Sequence, residues 1–77
     1  MKRIVVVIAG AERAAEALRA AVGLTLRGDR VDLVARVPLD RTDPRVARAL
    51  AALGALGGEV AASLAVVRDA DCVEVWS

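Results

Sequence analysis

Ile4, Val5, Val6, Val7 and Ile8 form an uninterrupted run of branched aliphatic side chains close to the N-terminus. A strand with one wet face alternates apolar and polar residues, whereas a run with no polar position predicts a strand covered on both faces. Arg3 to Ala9 is therefore read as a central strand of a parallel sheet, and the rest of the chain has to supply its cover. Gly10 breaks the run. Ala11 to Arg27 then places Ala14, Leu18, Ala21, Val22 and Thr25 on one helical face, with Glu12 and Glu16 near the N-terminal end that favours anions. Gly28 is placed to end this helix, and Asp29 and Arg30 make the turn.

A second strand, Val31 to Val37, shows partial alternation, with Asp32 and Arg36 among the apolar residues, which suits an edge strand. Pro38 stops it, and Leu39 to Asp43 forms a polar loop. Asp43-Pro44 is a helix start of the N-cap-then-proline type. The helix it opens carries Val46, Ala49, Leu50, Leu53 and Leu56 at helical spacing and ends at Gly57-Gly58; Gly54 within it is read as permitting close approach to the sheet. Glu59 to Ala62 is read as a third strand, Ser63 to Arg68 as a brief capped helix, and Cys72 to Trp76 as a fourth strand. Alternation of this kind implies right-handed crossovers between parallel strands. The expected fold is a small four-stranded, mainly parallel α/β sheet with helices on both faces, in the flavodoxin-like order 2-1-3-4, as one domain over residues 1–77.

A chain of 77 residues hides only about 60% of its unfolded surface. Its 57% apolar content is mostly Ala, Val and Leu, with one Trp and no Phe or Tyr, so the core is built from small contacts. Small domains supplement such cores with disulfides, metals or oligomerisation. Cys72 is the only cysteine and there is no histidine, so no internal disulfide and no Cys/His zinc site is expected, and neither is a cofactor. Oligomerisation remains, most simply a dimer. A net charge of +1 without a basic run gives no footprint for nucleic acid. The opening MKRIVVVIAGA imitates a signal peptide but falls short of the roughly 15–30 residues of one. No apolar stretch reaches the ~18 residues needed to span a bilayer, and a lone cysteine fits a reducing compartment, so a cytoplasmic protein is expected.

Three segments, IVVVIAGAERAAEALRAAVGLTLRGDRVDLV, ALAALGALGGEVAAS and DADCVEVW, together resemble a short member of the DsrE/DsrF-like family. The resemblance runs over nearly the whole chain and implies a small cytoplasmic α/β protein that assembles into oligomers. In that family the better known members relay persulfide sulfur through a cysteine in the loop after the third strand. Here the loop reads EVAASLAVV, and Ala62 or Ser63 stands where the resemblance would put the cysteine. Neither side chain carries sulfane sulfur. Cys72 falls at the start of the next strand and reads as a small buried hydrophobe, with Asp69, Asp71 and Glu74 disfavouring a thiolate.

The candidate sites are two. Ligands of open α/β sheets sit at the carboxyl ends of strands, which selects Gly10, Ala11, Arg41 and Ser63. The turn AGAERA has one glycine where a dinucleotide fingerprint has three, and Arg41 is either an anion contact or a solvated loop residue. The second site is the last strand. Val73 and Val75 point to one face, while Cys72, Glu74 and Trp76 point to the other and are read as an interface, the alternative being that Trp76 folds over its own subunit. Three functions fit: a noncatalytic assembly protein, joined to itself or to a sulfur-relay partner; a small-molecule or anion binding domain; and a persulfide carrier through Cys72.

Overall fold

The branched run becomes strand β1 (Arg3–Ile8), and every residue from Ile4 to Ile8 is buried. A computed structural model describes residues 2–60 and 64–77. After β1 come a 3-10 turn (Ala11–Arg13), α1 (Ala14–Leu26), β2 (Arg30–Ala35), α2 (Pro44–Ala55), β3 (Glu59–Val60), a 3-10 helix (Leu64–Asp69) and β4 (Cys72–Trp76). The α/β character holds. Ala61, Ala62 and Ser63, at the end of the expected third strand and the start of the brief helix, lie outside the described residues.

The sheet corrects the expected one. Three strands of five or six residues, in the order β2-β1-β4, make its body, and among the described residues the third segment adds the two residues of β3 on the outer side of β2. All pairings are parallel. The order is thus 3-2-1-4 and not 2-1-3-4. Pairing length supplies the physical reason. β4 matches β1 residue for residue from Ile4↔Cys72 to Ile8↔Trp76, while the described residues of β3 pair with Asp32 and Leu33.

Handedness then decides where the helices lie. The steps β1 to β2 and β2 to β3 advance in the same direction, so right-handed crossovers put α1 and α2 on one face, and the return to β4 passes over the other. The expected helices on both faces become two α-helices on one face and a 3-10 helix on the other. On the α face, Ile4, Val6, Ile8, Val31 and Leu33 pack against Ala14, Ala17, Leu18, Ala21, Val46 and Leu53. On the opposite face, Val5, Val7 and Val34 are covered by Val67 and Ala70, from the 3-10 helix and the residue after it. One layer is thick and the other thin.

Local chemistry fixes the ends. The Asp43 carboxylate accepts from the Arg45 N–H at 2.9 Å, and Pro44 occupies the first turn of α2, as its sequence implied. Gly28 takes φ +102°, the left-handed geometry that ends α1. Two expectations fail at single residues. β2 is not the edge strand expected of Val31 to Val37, because β3 pairs on its outer side at Asp32 and Leu33, and Asp32 is only 7% exposed, with Arg3 at 4.0 Å. Gly54 faces open space and approaches nothing.

Candidate functional site

Strand order reverses between β1 and β4, with one crossover layer on each face, and in open α/β sheets ligands collect at the carboxyl ends flanking such a point. β1 leaves the sheet here through Ala9 and Gly10. Both backbone N–H groups donate to the Trp76 carbonyl, at 2.8 and 3.1 Å. Gly10 is extended, and a Cβ on it would stand 2.7 Å from the Ser77 carbonyl carbon. The one glycine of the AGAERA turn therefore serves close packing of the end of β4, and its amide is already used. Ala11 opens the 3-10 turn. Arg41 sits in an exposed turn in which Asp40 accepts from the Thr42 N–H at 3.0 Å, and it lines neither of the clefts below. Ser63 is outside the described residues.

β4 distributes its side chains as a period of two requires. Cys72, Glu74 and Trp76 share the α face, opposite Ile4, Val6 and Ile8. Cys72 is exposed, while Glu74 and Trp76 are half-buried. Trp76 packs against the core of its own subunit, with the Arg13 guanidinium 5.0 Å from the ring centroid. That distance suits a cation–π contact. Val73 and Val75 lie on the other face, 39% and 63% exposed.

Beside these valines is a cleft of about 690 Å³. Val7 and Ala9 come from the end of β1, Val73 and Val75 from β4, Val67 and Arg68 from the 3-10 helix, and Arg36 from the exit of β2. A second groove, about 390 Å³, runs between α1 and α2 over Ala15, Val22 and Ala49, with Glu16, Arg19 and Arg48 at its rim. Sequence reading missed the first cleft. Its one local signal was Arg36, a cation at the carboxyl end of a strand, but the crossover that brings Arg68 beside it is invisible to pattern.

No protein family, curated protein or solved structure matches this chain. The arrangement of its charges carries the chemical argument instead. Four carboxylates are engaged by arginines: Glu16 with Arg13 at 3.1 Å, Asp43 with Arg45 at 3.0 Å, Asp29 with Arg27, and Asp32 with Arg3. The Arg27 guanidinium, hydrogen-bonded to Asp29, lowers that carboxyl's pKa, and Arg45 does the same for Asp43 through its side chain and then its backbone N–H. Such acids are held ionised as partners of cations. Among the described residues no three His, Cys, Asp or Glu side chains come together to hold a metal, and no helix is long and apolar enough to cross a membrane.

Proposed function

We propose that this chain is a noncatalytic assembly domain that forms a homodimer by pairing β4 with β4 of a second copy. The observation that carries the reading is that β4 is an outer strand whose free edge is unprotected. The Trp76 carbonyl accepts from Ala9 and so points toward β1. Backbone groups alternate direction along a strand, so Cys72, Glu74 and Trp76 bond inward and Val73 and Val75 present their N–H and C=O outward. No lysine or proline blunts this edge. The DsrE/DsrF-like resemblance supports assembly as well, and Ala62 and Ser63 at the place of the relay cysteine favour a member without sulfur chemistry.

Three antiparallel registers are open to two such edges, and chemistry separates them. Centring on Glu74 sets two carboxylates opposite each other, which is destabilising. Centring on Val73 needs Asp71 to bond outward, yet its N–H donates to the Arg3 carbonyl at 2.8 Å. Centring on Val75 satisfies the outward groups and stacks the two Val75 side chains. It also sets Glu74 against Trp76 of the partner subunit, near the arginine over that ring.

Sedimentation velocity through the micromolar range tests the reading. A concentration-dependent dimer is expected, and Val75→Lys should leave a folded monomer. A monomeric wild type, or a dimer indifferent to Val75→Lys, would overturn it.

A further inference from the structure

We infer that the cleft between β1, β4 and the 3-10 helix binds a small amphiphilic anion, an aliphatic body bearing one carboxylate or phosphate. The inference goes beyond self-association and does not rest on it. Val7, Val67, Val73 and Val75 give the cleft an apolar wall and floor, and its volume of about 690 Å³ falls in the range of small-molecule pockets. Apolar walls alone would accept any hydrocarbon. Selection for an anion comes from the two arginines.

Arg3, Arg13, Arg27 and Arg45 are each answered by a carboxylate; among the described residues Arg36 and Arg68 have no ion-pair partner, nor do Arg19, Arg30, Arg41 and Arg48, and of these only Arg36 and Arg68 line this cleft. Among the described residues no carboxylate lines the cleft. Asp32 shares this side of the sheet but pairs with Arg3 near the opposite end of the strands, and Asp69 does not line the cleft. The α1–α2 groove also holds two arginines without an ion-pair partner among the described residues, Arg19 and Arg48, but the Glu16 carboxylate stands among its lining and sets it apart.

The scaffold anchors the chain at both arginines. The Arg36 N–H donates to the Ile8 carbonyl at 2.8 Å, which ties this residue to the end of β1. Arg68 follows Val67, which packs on Val5, Val7 and Val34. Guanidinium groups bind carboxylate and phosphate through paired, charge-assisted hydrogen bonds, and the valines then shelter the aliphatic body. The site lies at the carboxyl ends of the parallel strands, on the face away from the α-helices.

The test is a titration of the full chain with decanoate below its micellar concentration, read from valine methyl shifts, with decanol, inorganic phosphate and anionic vesicles in parallel. Saturable decanoate binding is expected, with shifts concentrated at Val7, Val67, Val73 and Val75. Decanol and phosphate should each bind at least about tenfold more weakly, the effect of losing one charge-assisted or apolar contribution. Arg36→Gln and Arg68→Gln, both at exposed positions, should each weaken decanoate by about tenfold. Equal binding of decanol and decanoate would overturn the inference. So would an undiminished double variant, shifts confined to the α1–α2 groove, or binding to vesicles alone.

Discussion

Asp43 illustrates how single side chains in this domain do structural work through charge. Its carboxylate caps α2 and meets Arg45, whose side chain and then backbone N–H lower its pKa. A folded-state pKa below the unfolded one gives stability that is present above the unfolded value and lost as pH falls through the folded one. The stability gap between wild type and Asp43→Asn should accordingly be largest near neutrality and shrink in acid, as urea titrations at several pH values would show. Leu18 works by volume instead. It is fully buried against the α face, and Leu18→Ala should cost about 3 kcal/mol in chemical denaturation, by loss of transfer energy and an unfilled cavity. Cys72 is exposed, which corrects its reading as a buried hydrophobe, but Asp71 and Glu74 still flank it. Treatment with a sulfane-sulfur donor should leave no stable persulfide by mass measurement; stoichiometric loading abolished by Cys72→Ser would reverse that assignment.

At the scale of elements, α2 was the most legible. Its cap, proline and start coincide with the sequence reading because all three depend on neighbours within one turn. Its buried face was legible in part: Val46 and Leu53 are buried, Ala49 and Leu50 pack at the margin, and Leu56 is 42% exposed. Glycine 54 was misjudged, since an interior helical glycine looks the same in sequence whether it faces a sheet or water. Because a Cβ there meets nothing within 4 Å, Gly54→Ala should raise stability by up to about 1 kcal/mol, measurable as a higher urea midpoint. β1 was legible as an inner strand from its unbroken apolar run. The placement of β3 was not, because the order of strands is settled by pairing length and crossover hand. Arg36 of the candidate cleft belongs to the same class, readable as a polar residue after β2 but with no local sign of Arg68 across from it.

The whole molecule is asymmetric, with two α-helices over one side of the sheet and a 3-10 helix over the other. A domain of this size has a stability of roughly 4–12 kcal/mol at the usual per-residue scale, so burial of the β4 edge by a second copy would be a sizeable share of it. Thermal unfolding of wild type should therefore shift to higher temperature as protein concentration rises, while Val75→Lys should show no such dependence. A Tm independent of concentration for both would argue against the dimer. The pairing of β4 with β1 has a kinetic consequence. The Arg3 N–H donates to the Asp71 carboxylate at 2.8 Å across 68 positions of sequence, so this seam carries a large loop-closure entropy. The sole indole, Trp76, sits at that seam beneath Arg13. Its fluorescence should therefore time the arrival of the last strand, lagging the helical circular dichroism signal if α1 and α2 gather on β1 and β2 first.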